Sequence, residues 1–275
     1  MRLDKATADG LLGLACRLAV EAGTGAAADR NADAASRAAM TAATKSSLTD
    51  VVTRHDRAAE AVIVKGLRRA RPDDAIVGEE GADHVGTSGV SWLIDPIDGT
   101  TNLLYGLPMW CTSIGAADPA GAVVGAVYVP VTDELFAARR GGGATRNGRP
   151  IRASGETDLG LALVATGFGY DPGHRRRQAS RLGTLAPLIR DIRRGGSAAI
   201  DLCYTAAGMF DAYFEEHLNP WDIAAGELIA REAGCRTGDF CGGPAGPAEL
   251  LVATPGIFDQ LARIVAPGST VGLPQ

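Results

Sequence analysis

What this chain of 275 residues lacks narrows its function before any motif is considered. Its five cysteines, Cys16, Cys111, Cys203, Cys235 and Cys241, form no C-x-x-C pair and accompany no histidine spacing that would hold zinc. An odd, scattered set of thiols fits the reduced state of a cytoplasm better than a disulfide framework. No run of about 18 apolar residues is present, so no membrane span or membrane association is expected. The opening stretch carries Arg17 inside its apolar part and has no small-residue cleavage site, which predicts an amphipathic helix and not a secretion signal. A basic excess is also missing, since Lys+Arg 27 against Asp+Glu 32 gives a net charge of −5. That argues against a dedicated nucleic-acid binder, which needs a basic face to attract phosphate. Neither an internal repeat nor a low-complexity linker appears. The run Gly141–Gly143 has neither the spacing nor the setting of a phosphate-binding loop or a dinucleotide fingerprint, and is expected to be a turn.

What is there describes an ordinary globular chain: 46% hydrophobic and 21% charged, with length for one or two domains and a sizeable core. Residues 7–45 are alanine-rich with apolar positions at helical spacing, and predict two helices broken near Gly23–Gly25, the second reaching Thr44. Residues 56–70 predict a further helix that Arg71-Pro72 stops. The period then changes. AIVGEE and VSWLIDPID are short apolar runs that end in acids, as buried strands delivering carboxylates to a strand end would, and Pro96 is expected to end the second. From Trp110 to Arg152 the pattern predicts antiparallel strands, with Asn147-Gly148 as a two-residue hairpin turn. Strands and helices alternate through the remainder, over 161–168, 176–189, 191–193, 198–208, 211–216 and 220–233. The fold class is therefore α/β or α+β with layered sheets.

The most informative segment is WLIDPIDGTTN, residues 92–102. Asp95 and Asp98 flank a Pro-Ile turn, where two carboxylates can be held converging on one cation. The amides of Gly99, Thr100 and Thr101 at a helix start then offer donors to an anion. The same residues also suit a strand end with Asp98 in an Asx-turn and Thr101 as a helix cap. Glu79 and Glu80 end another apolar run, although paired loop glutamates are commonly just solvated. Asn219, Pro220 and Asp222 make a favourable helix start without any function, yet a carboxylate there could complete a metal site. Taken together, acids at strand ends and a helix start beside a Gly-Thr cradle describe oxygen-only ligation of hard cations next to a phosphate. Magnesium fits best, because no Cys or His cluster favours a softer metal. Two such ions about 3.5–4 Å apart can activate water for in-line displacement.

The chain resembles the inositol monophosphatase family of magnesium-dependent, lithium-sensitive phosphomonoesterases. The resemblance rests on TKSSLTDVVTRHD (44–56), VGEE (77–80), WLIDPIDGTTN (92–102), GSAAIDLCYTAAGMFDAYFEE (196–216) and PWDIAAGELIAREAG (220–234), in the family's order. It implies the layered α-β-α-β-α sandwich of the inositol monophosphatase/fructose bisphosphatase type, usually dimeric, and a homodimer here. It implies one compact catalytic unit: an N-terminal α+β subdomain, 1–150, with most metal ligands, and a C-terminal α/β subdomain, 151–275, with Asp222 and the alcohol pocket. Carried over by motif, Glu79, Asp95, the Ile97 carbonyl and Asp98 bind a first metal, and Asp95, Asp98 and Asp222 a second. Glu79 holds a weaker third ion through water, giving two to three Mg²⁺ per subunit. Glu79, Asp98 and Thr100 are the implied catalytic residues, with Thr100 positioning the attacking water and Gly99 and Thr100 amides holding phosphate.

For the alcohol half of the substrate, the resemblance implies Asp98, Gly196, Ser197, Ala198, Glu215 and Asp222. Lys45 matches a loop near the metals, although an exposed loop lysine more often does nothing. The substrate implied is inositol monophosphate or a similar small polyol phosphate, with histidinol phosphate, fructose 1,6-bisphosphate and adenosine 3′,5′-bisphosphate as alternatives within the family. A reading of another class is a partner-binding protein of the transcription or RNA machinery. The basic stretch with Arg175, Arg176, Arg177, Arg181, Arg190, Arg193 and Arg194 is expected to be a solvated face, with a place at the pocket rim or a dimer contact as the lesser alternative, and His84, His174 and His217 to be surface residues.

Overall fold

The computed structural model describes residues 3–32, 43–44 and 51–266. Helix α1 (Lys5–Ala32) runs unbroken for 28 residues. The break expected at Gly23–Gly25 is absent, and Gly23 lies where the helix packs tightly against residues of a sheet. A Cβ there would stand 2.9 Å from Tyr128 Cδ1 and 3.0 Å from Pro130 Cγ. The glycine serves close packing, which outweighs its cost of about 1 kcal/mol in a helix. The helix expected up to Thr44 lies partly outside the described residues. Ala43–Thr44 is instead strand β1, antiparallel to β2 (Val51–Val52).

By length and composition α1 is apolar enough to cross a membrane. Its buried stripe of Leu11, Ala15, Leu18 and Ala22, at helical spacing, is occupied by the protein's own core. Helix α2 (Arg54–Ala70) packs beside it and starts in a capping box formed by Thr53 and Asp56.

Strands β3 (Ala75–Gly78) and β4 (Ser91–Asp98) are parallel, and β5 (Cys111–Asp118), β6 (Gly121–Val129), β7 (Glu134–Arg139), β8 (Ala144–Arg146) and β9 (Arg149–Pro150) follow antiparallel in sequence order. Pro96 does not end β4 as expected. Asp95 pairs with Ser113 and Asp98 with Cys111, so three steps on β4 match two on β5. The proline sits in that bulge, where its missing N–H costs no ladder bond, and the bulge turns both aspartates toward one strand end. Asn147 and Gly148 both hold positive φ, 50° and 73°, as a two-residue hairpin requires. Gly141–Gly143 is a turn whose three amides donate to the Glu232 carboxylate at 2.8–3.1 Å.

The second sheet has the order β11 (Asp191–Arg193), β10 (Leu163–Thr166), β12 (Ala212–Glu216), β14 (Glu249–Ala253), β13 (Arg236–Gly238). Between the sheets lie α5 (Ala198–Ala206) and α6 (Pro220–Glu232), whose Leu202, Ala225 and Leu228 pack with Val127 and Phe136 of one sheet and Tyr213 and Val252 of the other. Outside the second sheet, α4 (Pro172–Leu185) and α7 (Phe258–Val265) bury Leu185, Phe258 and Leu261 against Val164, Phe214 and Leu251. The result is an α-β-α-β-α sandwich, as expected.

Gly115 and Gly125 pair across β5 and β6, and α6 rests directly on them. A Cβ at Gly125 would lie 2.7 Å from the Ala225 carbonyl oxygen, so the close approach requires glycine. Gly125→Val is expected to cost about 1–3 kcal/mol in denaturant unfolding, the usual cost of overpacking. Because α6 carries Asp222, activity should fall with it; unchanged stability would show that the helix can retreat freely.

Candidate active site

A cavity of about 460 Å³ opens where the C-terminal end of β4 meets the tips of β10 and β12 and the N-termini of α5 and α6. Its wall contains Glu79, Asp95, Ile97, Asp98, Gly99, Thr100, Gly196, Ser197, Ala198, Glu215 and Asp222. Every residue carried over to the metals, phosphate and alcohol is thereby brought to one cavity, except Lys45, which lies outside the described residues.

Each side chain is placed by local chemistry. The β4 bulge aims Asp95 and Asp98 together. Asp98 Oδ2 accepts from the Ser197 hydroxyl at 2.7 Å and the Ala199 amide at 2.6 Å, which ties β4 to the start of α5. Asp222 sits in the capping box of α6, where its Oδ2 accepts from the Asn219 amide at 2.6 Å. The helix-start geometry and a place in the cavity are therefore realised by the same residue. Glu79, half-buried, follows β3 at a corner whose Glu80 amide donates to the buried Glu60 carboxylate at 3.0 Å. Helix α3 (Thr100–Tyr105) begins after Gly99, which is left-handed at φ 98°, so Thr101 is not the cap that the sequence allowed.

These carboxyls disturb one another. Burial, then the charges of Glu79, Asp98 and Asp222, push the Asp95 carboxyl well above the usual range. Burial and Asp98 do the same to Asp222. Asp98 is raised by burial and held back by its bonds from Ser197 and α5. Such a cluster wants positive charge, and Asp95 Oδ1 is buried with no hydrogen-bond partner. As placed, no three Asp, Glu, His or Cys side chains among the described residues converge closely enough to cage an ion. The donor set is oxygen alone, which fits a hard divalent cation.

Thr100 donates through Oγ1 to Asp56 Oδ1 at 2.7 Å and lies 3.1 Å from the Ile97 carbonyl. Asp56 in turn accepts from the Thr53 amide and hydroxyl. The sequence placed Asp56 in a shared motif without giving it this task. At the alcohol end, Tyr213 donates to Glu215 Oε2 at 2.7 Å, and burial pushes the Glu215 carboxyl up to about 7. Gly167 backs the same carboxylate so closely that a Cβ would clash with it.

Among the other wall residues, four to which the sequence assigned no definite role stand out. Asp201, one turn into α5, is almost fully buried, with Oδ1 unpartnered, and burial followed by Glu215 and Asp98 raises its carboxyl well above normal. Its only signal was a place inside the 196–216 motif. Arg194 lines the cavity and its charge opposes the rise at Asp98 and Glu215, so the basic stretch is not purely a solvated face. His174, half-buried, and His217, exposed, lie at the surface as expected, and they also line the cavity and stack on each other. His84 lies away from it, bridged to Ile76.

Residues 12–266 match the model of the inositol monophosphatase family. The chain belongs to that family. Inositol-1-monophosphatase SuhB of Mycobacterium tuberculosis is 45% identical over 229 residues, 79% of this chain and 78% of that protein. A protein named Nus factor SuhB from Salmonella typhimurium is 46% identical over 196 residues, 70% of this chain and 73% of that one. Among solved structures, the extragenic suppressor protein suhB of Bartonella henselae matches with a TM-score of 0.84 at 35% identity, over 92% of this chain and 98% of the other. As an inositol monophosphatase family member the chain is of a phosphatase type that generally depends on metal.

Proposed function

We propose that this protein is a magnesium-dependent phosphomonoesterase that hydrolyses inositol monophosphate, or a similar small polyol phosphate, by direct attack of water on phosphorus. The observation that carries this reading is the set of four acids, Glu79, Asp95, Asp98 and Asp222, facing one cavity with the Thr100–Asp56 pair beside them and Glu215 at the far end. In this reading residues 1–150 supply most of the metal ligands and 151–275 supply Asp222 and the alcohol pocket. Glu79, Asp95, the Ile97 carbonyl and Asp98 would hold one Mg²⁺, and Asp95, Asp98 and Asp222 a second. When bound, these ions supply the positive charge that lets a phosphate dianion accept a nucleophile and that acidifies water.

The chain's own groups do the positioning. Thr100 gives its hydroxyl proton to Asp56, which leaves its oxygen free to accept from a water and to aim that water's lone pair at phosphorus. Asp56 is held rigid by Thr53 and can take up a proton passed through Thr100. The Gly99 and Thr100 amides hold the phosphate. Glu215, fixed by Tyr213, accepts from hydroxyls of the alcohol, with Gly196, Ser197 and Ala198 forming the adjoining wall. The family resemblance also supports a homodimer, and five free thiols, three of them buried, support a reducing cytoplasm.

Phosphate release tests the reading, measured at pH 8 with and without magnesium from inositol 1-phosphate, histidinol phosphate and fructose 1,6-bisphosphate. The expected result is a magnesium-dependent preference for inositol 1-phosphate, inhibited by millimolar lithium. A preference for another ester would move the substrate and keep the mechanism, whereas no release from any would refute the reading. The relative named Nus factor SuhB favours a second reading, a partner role in transcription. Recovery of a polymerase or ribosomal component in fixed ratio, with Asp98→Asn as functional in cells as the wild type, would favour it.

A further inference from the structure

His174 lies in the first turn of α4, and His217 follows the last residue of β12. Their imidazole rings stack with centroids 3.7 Å apart and planes 14° from parallel. Both residues line the cavity. His217 holds φ 63°, a left-handed backbone that costs a residue with a side chain and that glycine would adopt freely. Strain of this kind persists where the surrounding structure over-determines it, and the stack is one contact that holds the His217 ring in place.

One residue earlier, Glu216 forms an ion pair with Arg181 at 3.2 Å. Two contacts thus fasten α4 to the end of β12, immediately after Glu215. The stack is the one of the two that faces the cavity. Parallel rings keep their nitrogens in separate planes, so the pair is not arranged to share one metal ion. What it presents is a flat wall across the alcohol end, with Leu218 and Trp221 continuing the lining.

We infer that the His174–His217 stack is a specificity wall that closes the alcohol end of the cavity, admits esters of compact polyhydroxylated alcohols, and excludes esters whose alcohol carries a second ring system. This rests on the phosphomonoesterase reading. Glu215 recognises hydroxyls, while the stack sets how far the alcohol can extend past it. Because the wall exists only when both rings are present, removing either one opens the same space.

The test compares kcat/KM for adenosine 5′-monophosphate with that for inositol 1-phosphate, both alkyl esters of similar intrinsic reactivity. It uses the wild type, His174→Ala, His217→Gly and the double variant, each checked by a melting curve. Each single variant is expected to raise the ratio about tenfold, within the range that pocket shape commands, and the double variant no further. A ratio within about twofold of wild type in both folded single variants overturns the wall. So do two effects that multiply in the double variant, since independent contacts behave that way. A wild type that hydrolyses neither ester, and neither histidinol phosphate nor fructose 1,6-bisphosphate, removes the phosphatase reading and the wall with it. A wild type that hydrolyses inositol 1-phosphate while the ratios stay flat removes the wall alone.

Discussion

Asp98→Asn is expected to lower kcat at least about a hundredfold, the scale of losing one preorganised charge in a phosphoryl-transfer site, and to raise the melting temperature of the magnesium-free protein. In the proposed reading Asp98 belongs to both metal sets, so the loss of its charge would weaken both at once. The fold should survive, because Asn can place its carbonyl oxygen where Asp98 Oδ2 accepts from Ser197 and Ala199. The substitution removes one of the buried like charges that raise the Asp95 and Asp222 carboxyls. Kinetics and thermal unfolding on one preparation check both halves. Retention of more than about a tenth of kcat, roughly 1.4 kcal/mol of barrier, would remove Asp98 from the centre of the chemistry. A fall in the melting temperature would mean that the Ser197 and Ala199 bonds, and not charge repulsion, dominate its contribution to stability.

The parts of this molecule legible in the sequence are those whose chemistry is local. Asp95 and Asp98 share one strand end, and Asn219, Pro220 and Asp222 share one helix start, so a few residues carry the whole signal. The hairpin at Asn147-Gly148 is of the same kind: both residues must hold positive φ, and the pair of residue types says so.

What escaped reading depends on contacts between distant segments. Gly23 looks like a helix breaker until Tyr128 and Pro130 are seen against it, when it becomes the reason that α1 can lie close to the sheet. Pro96 looks like a strand terminator, yet it occupies the bulge that aims the two aspartates. Asp56 lies 44 residues before its partner Thr100, and nothing in either segment announces the bond. His174 and His217 are separated in the same way, by 43 positions, and only their stacking reveals that two unremarkable histidines share a wall.

Removing magnesium should abolish turnover and expose the cost of the acid cluster as a pH-dependent loss of stability. Asp95, Asp98 and Asp222 all have carboxyls raised in the folded protein. The folded chain therefore keeps protons that the unfolded chain has already released. Stability from these groups is fully present below the ordinary carboxylate pKa, about 4, and is lost as pH rises through the higher folded values. Acids with lowered carboxyls, such as Asp74 and Asp118, act in the opposite sense, but their contribution is complete once the unfolded chain has ionised at about pH 5. Burial also holds the Glu215 carboxyl up to about 7, so the chelated protein is expected to melt at a lower temperature at pH 8 than at pH 6, the interval through which that proton is lost. Added magnesium should reverse the order, because a cation competes with protons for the same oxygens and binds best when they are ionised. At a hundred times its dissociation constant it would stabilise the fold by about 2.7 kcal/mol, or about 5–10 °C for a chain of this size. Melting curves at the two pH values, with chelator and with magnesium, decide the matter. A melting temperature indifferent to magnesium at pH 8, or turnover that survives chelation, would mean that Glu79, Asp95, Asp98 and Asp222 do not hold the ion on which the proposed reaction depends.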